Sequence, residues 1–361
     1  MIETKRKYFH PGVLIKDAIE EMGLNQTEFA LRSGLSIKNV STLISGESNV
    51  TTEVAIKLGA FFHNSAEGWL NLQTKYDLYK NSLKIEEEFK SEWVIAKSID
   101  KAFSEQILHI EINANNKEKN IFDLRAAFNV GTLLALKEPD MYAFCKTSTK
   151  KNLTDTNIIM RNAWISVAEN EARKKTCKEF NKNVIYNNLL NLRRLTLEQP
   201  KSFQPKLEAI LSKAGIKLVI LPYLKGSLVG GVTKWIVNEN CVMIAVNDCG
   251  KDADKIWFSI FHELGHAMKN HKRHLTISYE KDNIEDEDEI EANKFASDLL
   301  INQKDYDEFV RRGVFTDLSI TRFSKDQQVA DFIVVGRLQK DKFVPWNQFQ
   351  YRKPKYQVLV Y

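Results

Sequence analysis

His262-Glu263-Leu264-Gly265-His266 constrains this chain more than any other segment, because it demands a helix with two chemically different faces. Histidines four apart on a helix project from the same side, so both imidazoles can reach one cation. Zinc takes such nitrogens at about 2.0–2.1 Å, and a catalytic zinc site adds a third protein ligand and leaves one position for water. Glu263 follows the first histidine, where it can accept a proton from that water. The flanking residues agree with a helix. Trp257, Ile260, Phe261, Leu264 and Met268 form an apolar stripe, and Ser259, His262, Glu263 and His266 fall roughly opposite it. No lysine or arginine interrupts residues 256–268, which a surface helix with two incidental histidines does not explain. Asp252 and Asp254 precede the run, and Lys269, His271, Lys272 and Arg273 follow it, as the helix dipole favours. Gly265, on the flank, leaves room for another backbone to approach closely.

Spacing alone does not identify the third ligand. Residues 281–291 read KDNIEDEDEIE, with seven acids in eleven positions, a run that by itself describes a solvated loop. Its last acid, Glu291, enters a helix whose stripe is Ala292, Phe295, Ala296 and Leu299, but Asp288 and Glu289 lie at least as close to that stripe.

The stretch from Gly231 to Leu300, with TKWIVNENCVMIAVNDCGKDADKIWFSIFHELGHAMKNH and EIEANKFASDLLI, resembles the ImmA/IrrE family of zinc endopeptidases. IKLVILP (216–222), the Gly230-Gly231 pair and DFIVVGRLQ (331–339) extend the resemblance to roughly residues 200–340. It implies an α+β, zincin-like C-terminal domain with a small sheet, a bound Zn2+ and gluzincin-like peptide hydrolysis. It also implies metal ligation by His262 and His266, with Glu263 as general base. In that family a glutamate directly before Ala-Asn supplies the third ligand, which maps onto Glu291 here.

The N-terminus carries a second pattern. His10-Pro11-Gly12 opens a helix in which Leu14, Ile15, Ala18, Ile19 and Met22 keep helical spacing, and Gly23 stops it. Asn25-Gln26-Thr27-Glu28 starts another helix with Thr27 as its expected cap, and Ser33-Gly34 makes the turn. Ser36 then caps a third helix, 37–44, ending at Ser45-Gly46. Two short helices joined by a glycine turn, within a set of about five, form a helix-turn-helix arrangement. Its second helix would offer Ser36, Lys38, Asn39, Ser41 and Thr42 to a DNA major groove, with Gln26 and Thr27 beside them.

Residues 10–78, from HPGVLIKDAIEEMGLNQTEF to WLNLQTKYDL, are similar to the HigA-type antitoxins, a branch of the XRE-like repressors. That resemblance implies a lambda-repressor-like five-helix head, a homodimer and double-stranded operator DNA as partner. Charge adds little, since residues 1–80 hold nine Lys or Arg against nine Asp or Glu. Phosphate affinity rises with the cations laid against the backbone, so it depends here on local placement, as at Lys5, Arg6, Lys7, Arg32 and Lys38.

At 361 residues the chain has room for two or three cores, and we expect a mainly helical multidomain protein. The expected divisions are 1–80 for the helix-turn-helix head, 81–200 for a helical connecting region and 201–361 for the metallopeptidase-like domain. In the middle part, core packing is expected of Trp164 and a solvated face of Arg193-Arg194. Cysteines 145, 177, 241 and 249 show no CxxC pairing, and no apolar stretch approaches the ~20 residues of a membrane helix. Reduced thiols, a cytoplasmic location and no membrane partner follow as expectations. Residues 234–237 and 242–246, around Asn238-Glu239-Asn240, read as a hairpin, either the sheet edge for an extended substrate chain or equally a structural pair of strands. Two functional readings fit. One is a DNA-binding regulator fused to a zinc endopeptidase that cuts a protein substrate such as a repressor or antitoxin. The other is a non-enzymatic antitoxin or regulator whose peptidase-like domain binds a partner or senses metal.

Overall fold

The computed structural model describes residues 8–139, 141–142, 145–147, 153–269, 275–279 and 287–356. Lys5, Arg6, Lys7, His271, Lys272, Arg273 and residues 281–286 of the acidic run lie outside the described residues. The chain forms two compact units, Met1–Ser91 and Glu92–Tyr361.

The first unit contains α1 (Pro11–Glu21), α2 (Gln26–Ser33), α3 (Ile37–Ser45), α4 (Thr52–Phe61) and most of α5 (Ala66–Ser98). Local chemistry sets the ends of these helices. His10 Nδ1 accepts from the Gly12 N–H at 3.0 Å ahead of α1, with Pro11 in the first turn where no N–H is needed. The cap of α2 is Asn25, whose side-chain oxygen accepts from the Glu28 N–H at 2.9 Å; Thr27, the expected cap, already lies inside the helix. Ser36 caps α3 through the Asn39 N–H at 3.1 Å, as expected. Gly34 and Gly46 close α2 and α3 at φ +70° and +76°, a conformation that favours glycine. Ile15, Ile19, Phe29, Val40, Leu43, Leu58 and Trp69 make the core. The boundary between the two units, Ser91/Glu92, falls inside α5.

The second unit begins with the end of α5 and α6 (Lys101–Gln106), α7 (Lys117–Phe128), β1 (Cys145–Thr147), α8 (Asp155–Arg173), α9 (Lys182–Tyr186), α10 (Leu189–Arg194) and α11 (Pro200–Lys213). Then follow β2 (Ile216–Leu221), β3 (Val229–Ile236), β4 (Cys241–Asn247), α12 (Ala253–Met268) and β5 (Leu275–Tyr279). The helices α13 (Glu287–Leu300), α14 (Gln303–Arg312), α15 (Asp317–Gln327) and α16 (Asp331–Lys340) complete it. This is the expected mainly helical protein with an α+β C-terminal part.

The sheet has the order β1-β5-β3-β4-β2. β3 and β4 form the expected antiparallel hairpin, β2 runs parallel to β4, and β5 pairs antiparallel with β3 and parallel with β1. The hairpin is therefore interior, the structural one of its two sequence readings and not the substrate edge; the outer strands are β1 and β2. The composition of β4 explains this placement, since Cys241–Asn247 is buried at every position, as a strand covered on both faces requires.

The middle helices belong to the same packed body as the sheet. Trp164 is fully buried on α8 and donates its indole N–H to the Pro222 carbonyl at 3.0 Å. Glu92 is fully buried and binds the Arg125 guanidinium, with Nε at 2.8 Å, and the Leu133 N–H at 2.9 Å. Arg193 does not face solvent as expected. It donates to the carbonyls of Leu299 at 2.6 Å and of Asp298 and Gln327 at 3.4 Å. Trp257, Ile260, Phe261 and Leu264 of α12 enter the main core with Phe203, Val242, Ile244 and Ile333. Each such side chain taken from water contributes on the order of 1.5–3 kcal/mol, so α12 is anchored along its whole apolar stripe. Among the described residues, no helix is long and apolar enough to cross a membrane.

Candidate functional site

With one face of α12 fixed in the core, Glu263 is held toward β3, and His262 and His266 toward α13, with Ser278 of β5 beside His262. Gly265 brings α13 close, because a Cβ there would stand 3.0 Å from Ala292 Cα. That approach carries Glu289 to the two histidines. His262 Nε2 lies 3.1 Å from His266 Nε2 and 3.1 Å from Glu289 Oε2, and His266 Nε2 lies 3.2 Å from Glu289 Oε1. A tetrahedral zinc with bonds of about 2.0–2.1 Å has ligand-to-ligand edges of roughly 3.3 Å. The three donors therefore fit a metal's coordination shell in type and spacing.

The surroundings fix the donor atoms. Asn293 Oδ1 sits 3.0 Å from His262 Nδ1 and can accept its proton, so that a cation displacing the proton at Nε2 would meet that nitrogen's lone pair. Burial would raise the Glu289 pKa, but hydrogen bonds and charge from His262 and His266 prevail and hold it down at about 2. For His266 burial acts downward, and its hydrogen bond to Glu289, with the charges of Glu263, Glu289 and Asp288, outweighs it and raises the pKa. An ionised carboxylate between two imidazoles is the charge pattern a divalent cation replaces protons to occupy.

Glu291, the third ligand expected from the family resemblance, is not in this cluster. Its side chain is 53% exposed and pairs with Lys269, which also holds Asp288 at 3.0 Å. The reason is helical phase. On α13, Glu289, Ala292, Ala296 and Leu299 share the buried face, and Glu291 lies about 200° around from Glu289 at 100° per residue. Glu289 was among the carboxylates that periodicity left open, and nothing in the sequence pattern pointed to Asn293, Thr233 or Ser278 beside it.

Glu263 is fully buried. Thr233 on β3 donates to its Oε2 at 2.7 Å, while Oε1 has no hydrogen-bond partner among the described residues. Gly231 makes room for that free oxygen, since a Cβ there would stand 2.3 Å from it. His262, Glu263 and Glu289 open into a cleft of about 640 Å³ whose walls include Phe258, Leu300 and Trp346. Lys340 Nζ lies 4.2 Å from the Phe258 ring centre at its side. A cleft with an apolar wall, reached by two of three clustered metal donors and by a buried carboxylate having one free oxygen, can activate water against a polar bond.

In the first unit, Gln26, Thr27, Ser36, Lys38, Asn39 and Ser41 are exposed, and Thr42 is part-buried. Two of these have local duties. Ser36 caps α3, and Thr42 Oγ1 bonds the carbonyls of Lys38 and Asn39 at 3.1 Å and accepts from Ser48 Oγ at 2.9 Å. Lys38, Asn39 and Ser41 thus form the outward polar surface of α3.

Two family models match the chain: a helix-turn-helix domain over residues 15–69 and an IrrE N-terminal-like domain over residues 212–329. Virulence-associated protein A' of Dichelobacter nodosus is 41% identical over 70 residues, which are 19% of this chain and 61% of that protein. The chain thus spans about three fifths of that relative's length. Antitoxin HigA-1 of Vibrio cholerae serotype O1 is 37% identical over 91 residues, 25% of this chain and 86% of that protein. A solved addiction module antidote protein of a HigA family from Coxiella burnetii is 26% identical with a TM-score of 0.22, covering 23% of this chain and 95% of that one.

Proposed function

Since the chain belongs to the HigA-type helix-turn-helix proteins through its N-terminal unit and carries an IrrE-like domain in its second, we propose a DNA-binding regulator joined to a zinc-dependent endopeptidase. The observation that carries the peptidase half is the triangle of His262, His266 and Glu289 beside the free oxygen of Glu263. The two histidines and Glu289 would hold the zinc. When bound, zinc supplies a Lewis acid that polarises a peptide carbonyl and lowers the pKa of water toward ~7.

The chain's own residues do the rest. Glu263 receives the proton of the attacking water at Oε1 and passes it to the departing amine nitrogen. Thr233 holds Oε2 and leaves Oε1, packed beside Gly231, without a hydrogen-bond partner among the described residues. Asn293 keeps His262 in the ligating tautomer. A metal sensor or partner-binding domain has no use for such a base, which favours the enzyme over the non-enzymatic reading. For the head, α3 is the proposed groove helix, contacting operator DNA through Lys38, Asn39 and Ser41, with a homodimer reading two half-sites. A repressor or antitoxin is the proposed protein substrate.

The test is zinc content together with cleavage of a candidate repressor or antitoxin by wild type and Glu263→Gln. About one zinc per chain is expected in both. Cleavage by the variant should fall by roughly 10²–10⁴, the contribution of general acid–base catalysis. Equal cleavage rates in the two proteins would remove Glu263 from the mechanism. Full zinc occupancy without cleavage by wild type would favour the sensing role.

A further inference from the structure

The metal donors have one close neighbour with no role in the reading above, on which this inference rests. Ser278 on β5 is 7% exposed, lines the cleft, and places its Oγ 3.2 Å from His262 Nε2. That is the same nitrogen that meets His266 and Glu289 at 3.1 Å. The hydroxyl thus stands from that nitrogen at the edge length of a zinc tetrahedron, as the other two donors do.

Strand register brings it there. Ser278 pairs with Gly231 across β3 and β5, and Thr276, two residues back on the same face, pairs with Thr233. Gly231 and Thr233 are the two residues that meet the Glu263 carboxylate. The face of β5 carrying Ser278 is therefore the face turned to the metal helix, whereas Leu275 and Ile277 are buried apolar residues. The imidazole nitrogen already has Glu289 and His266 as neighbours, so the hydroxyl is not required to satisfy it.

We propose that the Ser278 hydroxyl is a fourth protein group at the metal, occupying the position otherwise left to water. A neutral alcohol oxygen is a weak zinc donor beside imidazole and carboxylate, and a water or a substrate carbonyl can displace it. The resting centre is in this way closed by its own chain and opens when substrate arrives.

The experiment uses the full-length chain loaded with cobalt(II) in place of zinc. Wild type, Ser278→Ala and Ser278→Cys are compared by optical absorption, and zinc affinity is measured against a competing chelator. Ser278→Cys should add a thiolate-to-cobalt charge-transfer band that wild type and Ser278→Ala lack, and should bind zinc about ten-fold tighter or more, as a thiolate ligand does. Ser278→Ala, with a smaller side chain, should keep one cobalt per chain. A Ser278→Cys protein that takes up one cobalt without the new band would overturn the proposal while leaving the three-donor site intact. A wild type that takes up no cobalt would sink the metal reading, and this inference with it.

Discussion

Asn293 Oδ1 lies 3.0 Å from His262 Nδ1, and this one contact decides which imidazole nitrogen is presented to Glu289 and His266. Because Asn293 meets His262 at Nδ1 and not at the donor nitrogen Nε2, its loss should act through orientation. Asn293→Ala should weaken zinc binding by about 10–100-fold, as removal of an orienting partner typically does. Chelator competition measures this. Unchanged affinity would mean that packing, not the amide, holds the ring.

Glu289 and Glu291 can be separated by single substitutions. Glu289→Ala should abolish stoichiometric zinc binding, whereas Glu291→Ala should keep one zinc per chain and lose only an exposed ion pair with Lys269. Such exposed pairs contribute about 0–1 kcal/mol, so the thermal midpoint of Glu291→Ala should stay near wild type. Metal analysis after dialysis decides between them. The reverse result would restore the glutamate preceding Ala-Asn as the third ligand.

For DNA, Lys38→Ala combined with Asn39→Ala should reduce binding to the chain's own promoter more than to random duplex. Lysine to phosphate acts on every sequence alike, and an asparagine at a base edge contributes about 1–3 kcal/mol of discrimination. Fluorescence anisotropy at fixed salt would show it. Wild-type protein without preference for its promoter at low salt would argue that the helix-turn-helix serves another purpose.

The buried Glu92 predicts an acid limb in stability. Burial would raise its pKa, yet Arg125, the Leu133 N–H and Thr132 together lower it below the ordinary carboxylate value of 4.5. A depressed carboxylate stabilises the fold above its unfolded pKa and loses that contribution as pH falls through the lower folded value. Thermal midpoints followed by tryptophan fluorescence should therefore drop below about pH 4.5. In Glu92→Gln the midpoint should be lower at neutral pH, and the acid decline shallower. Parallel curves for the two proteins would contradict the assignment.

How far the structure could be foreseen depended on whether a feature obeys a period. α12 was legible because an apolar stripe and a polar face reinforce each other over sixteen residues. The hairpin was legible too, but its interior position was not, since strand order depends on β5, a short segment whose partners are far away in sequence. Asn25 replaced Thr27 as a cap because both side chains can cap and their positions differ by only two residues. The exchange of Glu289 for Glu291 is a matter of helical phase in a run where nearly every residue is acidic. Asn293, Thr233 and Ser278 act through contacts 16 to 31 residues distant from their partners, and no local pattern encodes those.

Arg193 has a consequence for how such a domain can be moved between proteins. It stands on α10, within the stretch that reads as a connector, and its guanidinium closes the carbonyl end of α13, the helix bearing Glu289. Those last carbonyls have no partner within their own helix and favour a cation there. A fragment cut at residues 212–329 would contain every metal donor and still lose this closure, together with α16 and its packing on α12. The portable unit is thus larger than its recognisable motif, and a recombination event that kept only the motif would transmit the ligands without the scaffold that aims them.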